Sequence, residues 1–265
     1  MDVFFRKGEK SMIFDSHAHY DDEAFDIDRE EVIESIKKNG VIGVLNCGSS
    51  MEGAIYSVKL AETYDFFYAA VGLHPEYVGN LNDTTIEKLE KLCKSPKVKA
   101  IGEIGLDYHY EGNPSSEVQQ EAFRKQMKLA EKLDLPVVIH DRDAHGDTLK
   151  ILKEYPKVKG VVHCFSGSAE LARECLKIGY YIGFTGVVTF KNAKKIIEVA
   201  KVVPLNRMLV ETDCPYMAPT PFRGKRNQSD LIKYIAEQLA EVKGIDTDKV
   251  LSITKNNIME LLNLI

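Results

Sequence analysis

Short, unbroken apolar runs recur along this chain roughly every twenty to forty residues, and a stretch of helical spacing follows each one. Runs that are apolar at every position belong to strands covered on both faces, the condition of a parallel sheet. The strands read as residues 12–14, 41–46, 66–73, 98–104, 136–140, 160–163, 180–184 and 207–211. Helices are expected over 26–39, 50–64, 83–93, 115–133, 144–154, 168–177, 191–202 and 229–242, with Gly40 as the C-cap of the first. Eight such units predict an α/β fold of the (β/α)8 TIM-barrel type rather than an open doubly wound sheet. Further helical material follows over 246–264. No Pro/Ser-rich linker or charged tract breaks the pattern, so residues 11–265 read as one barrel domain behind a short extension, 1–10.

Composition narrows the function classes. At 265 residues, with 44% hydrophobic and 28% charged, the chain has the make-up of a globular domain. No apolar run approaches the roughly 20 residues that cross a bilayer, and the first residues lack the apolar core of a secretion signal. No membrane partner is expected. The five cysteines, Cys47, Cys93, Cys164, Cys175 and Cys214, are an odd count without Cys-x-x-Cys spacing. That argues against a disulfide framework and for a reducing, cytoplasmic setting. No Gly-x-Gly-x-x-Gly follows the first strand, so no dinucleotide cofactor is expected. With a net charge of −5, any bound phosphate must be drawn by metal ions and a local basic patch.

Barrel enzymes carry their chemistry where strands end. His17 and His19 follow the first run two residues apart, so both imidazoles share one face of an extended chain. Glu103, His140, His163 and Asp213 stand at the ends of the fourth, fifth, sixth and eighth runs. Burying so many ionisable groups uncompensated would be costly, and metal ions compensate it directly. Four imidazoles and two carboxylates exceed what one tetrahedral zinc requires. They suit two divalent ions sharing a carboxylate, with Glu103 as the expected bridge.

Several motifs in order then resemble the TatD family of metal-dependent hydrolases, within the amidohydrolase-like barrels. They are Asp-Ser-His-Ala-His from Asp15, Gly-Leu-His-Pro from Gly72, Glu-Ile-Gly-Leu-Asp-Tyr from Glu103 and Ile-His at Ile139. His-Cys-Phe-Ser-Gly from His163, Glu-Thr-Asp-Cys-Pro-Tyr from Glu211 and Arg-Gly-Lys-Arg-Asn from Arg223 complete the set. The resemblance implies His17, His19 and Asp213 on one ion, His140 and His163 on the other, with Glu103 between them. It also implies a DNA substrate and an exonucleolytic deoxyribonuclease, with magnesium, manganese or zinc as the two ions. One departure stands out: the family commonly continues Arg-Asn-Glu-Pro, whereas this chain has Gln228 and Ser229 after Asn227.

The expected reaction is hydrolysis of a phosphodiester by water activated on the ions, with Asp213 as general base and Glu103 as the second catalytic carboxylate. His74, Arg142, Arg223, Lys225 and Arg226 are the expected substrate contacts. Tyr20, Tyr108, Tyr110, Tyr216 and Phe222 are candidates for stacking on bases, and Asp15, Asp107 and Tyr108 for orienting ligands. The rival expectation is an esterase or deacylase cutting an ester, lactone, amide or aminoacyl-tRNA bond with the same metals. A small neutral substrate would have no use for the basic loop 223–226.

Overall fold

The computed structural model describes residues 12–265, and the extension expected over 1–10 lies outside the described residues. Eight strands run parallel in sequential order. They are β1 (Ile13–Ala18), β2 (Val41–Cys47), β3 (Phe67–Val71), β4 (Val98–Asp107), β5 (Val137–Arg142), β6 (Gly160–Val162), β7 (Tyr181–Phe184) and β8 (Met208–Val210). The helices are α1 (Arg29–Lys38), α2 (Met51–Thr63), α3 (Asp83–Leu92), α4 (Ser116–Leu133), α5 (His145–Glu154), α6 (Ala169–Lys177), α7 (Lys194–Val202), α8 (Ile232–Lys243) and α9 (Thr247–Leu261). The (β/α)8 barrel expected from the sequence is the fold observed.

The last seam closes just beyond β8. Asp213 N–H donates to the carbonyl of His17 at 3.0 Å, and His19 N–H donates to that of Cys214 at 2.8 Å. The ring is therefore sealed by the same segments that carry two histidines and an aspartate.

Local chemistry sets where the helices begin. Ser50, Asn82, Ser115 and Ser168 each accept a backbone N–H from the first turn that follows, satisfying donors no helix can satisfy internally. Three helices start later than their spacing suggests, α7 at Lys194 among them. Asp22 instead caps a 3-10 turn at Glu23–Phe25, which delays α1 to Arg29, and a second turn at Ser229–Leu231 precedes α8. Each helix buries one face; α8 turns Ile232, Ile235, Ala236, Leu239 and Ala240 inward at three- and four-residue spacing.

Inside the barrel, Phe14, Leu45, Ala100, Val138, Val161, Tyr181 and Leu209 form one cluster with Ile258, Leu261 and Leu262. These strand residues lie mostly near strand starts, so α9 and the residue after it pack against that end. Asn257 of α9 donates from Nδ2 to the carbonyls of Leu205 and Met208, both at 2.8 Å, which pins the helix where β8 enters.

Several strands outrun expectation, β1 reaching Ala18 and, nearer the site, β4 and β5. β4 continues to Asp107 and β5 to Arg142, and the two pair as far as Asp107 and Arg142. Glu103 consequently sits inside a strand, beside a register shift between Ile101 and Ile104.

Candidate metal centre

The six residues expected as ligands meet at the C-terminal mouth. The Nε2 atoms of His17 and His19 lie 2.9 Å apart, as the two-residue spacing on β1 predicts. His17 Nε2 is 3.4 Å from Glu103 Oε2 and 3.6 Å from Asp213 Oδ1. The corresponding distances from His19 Nε2 are 3.6 and 3.4 Å. Donors about 2.1 Å from a tetrahedral ion stand about 3.4 Å from one another. His17, His19 and Asp213 thus form one donor group that could hold a divalent cation, with Glu103 Oε2 beside both imidazoles.

The other oxygen of Glu103 serves a separate set. Oε1 lies 2.7 Å from His163 Nε2 and 2.8 Å from His140 Nδ1, with 3.4 Å between those two nitrogens. His74 Nε2 is 4.0 Å from the same oxygen, and its ring meets His140 edge-on. The His163 ring stacks on His17 with centroids 4.0 Å apart, tying the two sets together. Imidazole nitrogens with carboxylate oxygens are a donor set that zinc, manganese and iron accept, magnesium less readily.

Residues around these six side chains orient them. Asp107, buried at the end of β4, accepts from His140 Nε2 at 3.0 Å, leaving Nδ1 to face Glu103. Backbone bonds to Gln119 and the N–H of His109 hold Asp107 itself. His19 Nδ1 lies 2.7 Å from the carbonyl of Cys47, which fixes Nε2 as the free nitrogen facing the cluster. Asp15 is buried beneath the site and accepts from Thr212 Oγ1 at 2.5 Å and Ser229 Oγ at 2.7 Å. Ser229, where the chain departs from the family pattern, is thus knit into this network, and its N–H also donates to the Tyr20 hydroxyl.

Glu211 received no role in the sequence reading. It is fully buried and accepts from Cys164 N–H at 2.5 Å and Ser16 Oγ at 3.2 Å, with Oε1 3.8 Å from His163 Nδ1. Gly183 makes room for it, because a β-carbon there would overlap the Glu211 carboxylate. Gly105 plays a similar part beside His140, whose carbonyl occupies the space a β-carbon would need. His17 Nδ1 and His163 Nδ1 have no hydrogen-bond partner among the described residues.

Charge in the cluster is strongly redistributed. Burial and the neighbouring His163 lower His17 to about 4. Burial alone would lower His19 and His140 too, but the carboxylates outweigh it: Asp213 and Glu103 lift His19 to about 10, and Asp107 and Glu103 lift His140 to about 9. Burial works to raise Glu103 and Asp213, yet the surrounding histidines hold both low. Burial raises Asp15 to about 6 and Glu211 to about 7.

The proposed substrate contacts divide. Arg142 lies over the Tyr110 ring beside a cleft that opens on His140, His163 and Asp213. Arg223 lies over Phe190, 3.9 Å from its centroid. Lys225 is exposed and forms no ion pair among the described residues. Arg226 is differently committed: both guanidinium nitrogens reach Asp28 at 2.7 Å, and one also reaches the carbonyl of Ala24. Of the stacking candidates, Tyr216 reaches the mouth, while Tyr20 is buried against Phe25.

A closed parallel barrel with a histidine–carboxylate cluster at its C-terminal mouth is the architecture of a metal-dependent hydrolase. The family described as TatD related DNase matches residues 14–263, and the chain belongs to it. The uncharacterized metal-dependent hydrolase YabD of Bacillus subtilis is 46% identical over 94% of this chain and 98% of its own length. YcfH of Escherichia coli K12, likewise an uncharacterized metal-dependent hydrolase, is 37% identical over 95% of this chain and 96% of its own. Among solved structures, the TatD homolog YjjV of Escherichia coli K12 superposes with a TM-score of 0.90 at 33% identity, covering 96% and 99% of the two chains.

Proposed function

We propose that this metal-dependent hydrolase is a deoxyribonuclease that trims DNA from an end, and that its site takes two divalent ions. The observation that carries the reading is Glu103: each of its oxygens faces its own histidine set. Two adjacent cations with a bridging carboxylate suit a phosphodiester, whose attacking and leaving oxygens both gather charge. The family description and the cations Arg142, Arg223 and Lys225 near the mouth support a nucleic acid as substrate. The five free thiols support a reducing, cytoplasmic setting.

In this reading His17, His19 and Asp213 hold one ion, His140 and His163 the other, and Glu103 both. When bound, the ions supply Lewis acidity to water and phosphate. Asp213 lines the clefts on both sides of the centre, which positions its carboxylate to take a proton from water. Asp107 keeps Nδ1 of His140 turned inward. His74, held by a hydrogen bond from Glu76 N–H, places Nε2 where it can meet a phosphate oxygen.

The test is degradation of end-labelled single-stranded DNA by chelator-stripped protein with Mg²⁺, Mn²⁺ or Zn²⁺ restored, beside His140→Ala and Asp213→Asn. A metal-dependent ladder shortening from one end is expected, with both variants slower by about 10²-fold or more. Intact DNA under every metal, from folded and metal-loaded protein, would overturn the nuclease reading and favour a carboxyl ester or amide substrate.

A further inference from the structure

The centre opens onto two lobes of opposite character. On the side of β5 to β8, a cleft of about 480 Å³ borders His140, His163 and Asp213 directly. Phe165, Val187, Phe190, Ile196 and Met217 give it largely apolar walls, and Arg142 and Lys195 add positive charge. On the side of β1 to β3, a lobe of about 330 Å³ carries Asp21, Asp22 and Glu76.

We propose that the apolar lobe seats the nucleobase of the nucleotide esterified to the scissile phosphate. This rests on the phosphodiesterase reading above. The lobe begins at the ligand side chains, so whatever fills it is joined to the reacting group by a short linker, as a base is through its sugar. Its volume falls within the range of small-molecule sites, about 300–1,000 Å³. Apolar walls remove the faces of a flat ring from water at little cost in polar groups. Charge selects the side: Arg142 and Lys195 attract a phosphorylated ligand, Asp141 in the same lobe is paired with His145 at 2.8 Å, and the three carboxylates opposite repel it. Arg223, stacked on Phe190, adds positive charge behind that wall. Ser166, Thr185 and Asn192 also line the lobe, but its walls are mainly apolar, so stacking on the ring outweighs hydrogen-bond readout of the base's edge.

The experiment compares the binding of deoxyadenosine monophosphate and 2-deoxyribose 5-phosphate to metal-loaded protein by calorimetry. The wild type should prefer the nucleotide by about tenfold or more, the worth of one base against an aromatic wall. Val187→Trp, which fills the lobe from a half-buried position in the 3-10 turn Gly186–Thr189, and Phe190→Ala, which removes a wall, should each collapse that ratio. Equal affinities in the wild type would overturn the proposal without recourse to any variant, as would an undiminished preference in folded Val187→Trp. A nucleotide preference in protein that leaves DNA intact would support the lobe and overturn the nuclease reading, so the two failures are separable.

Discussion

Replacing Asp107 by Ala should cost metal affinity without touching a ligand. His140 presents Nδ1 to the cluster, 2.8 Å from Glu103 Oε1, only because its Nε2 is held 3.0 Å from Asp107 Oδ2. Without that acceptor the ring is free to pivot about its own bond, and its buried N–H loses its partner. Removing such an orienting carboxylate typically weakens metal binding about 10- to 100-fold, or about 1.4 to 2.7 kcal/mol. Proton competition works in the opposite sense. Burial depresses His140 and the two carboxylates raise it to about 9, so the variant imidazole binds its proton less tightly. The loss should therefore be larger at pH values above that point, where protons no longer compete in either protein. Competition for Zn²⁺ against a chromophoric chelator, at neutral and at high pH, reads both quantities. Asp107→Asn keeps an acceptor without the charge and should fall between the two. An Asp107→Ala protein that is folded and binds Zn²⁺ as tightly as the wild type at both pH values would refute the reasoning.

Other expectations follow from the same network. Burial raises Glu211 from 4.5 to about 7, so its contribution to stability is present below the unfolded value and is lost as pH rises through the folded one. Metal-free Glu211→Gln should therefore gain on the wild type by on the order of 3 kcal/mol across that window, read as the difference between their urea midpoints against pH. Gly183→Ala should destabilise by about 1 to 3 kcal/mol, because the added methyl must displace the Glu211 carboxylate; an unchanged thermal midpoint would contradict the crowding. Asn257→Ala leaves the carbonyls of Leu205 and Met208 without their donor. A loss of about 2 kcal/mol is expected in urea, with metal content at saturation unchanged.

What could be read in advance follows distance along the chain. The strands were legible because burial on both faces makes each run apolar throughout, and the histidines because each follows such a run. The pairing of His17 with His19 needed only the two-residue period of a strand. Glu103 was placed at a strand end and lies inside one, because β4 keeps pairing with β5 as far as Asp107, past the end of its apolar run. Asp15 and Asp107 were candidates for orienting ligands, but what each one meets was beyond reach, because the contacts are distant in sequence. Asp107 meets His140 across 33 residues, and Asp15 meets Ser229 across 214. The basic loop shows the limit plainly: Arg226 looks like its neighbours in sequence, yet its guanidinium is taken by Asp28, 198 residues away.

The seam between β1 and the segment after β8 has a consequence for how the protein is made. The bonds that close the ring join His17 and His19 to Asp213 and Cys214, groups far apart along the chain. A nascent chain halted before residue 213 has its first histidines in place but lacks both the third donor of their set and the bonds that hold the mouth in shape. A chain that stops before residue 213 therefore cannot assemble the complete centre, however well its earlier strands form.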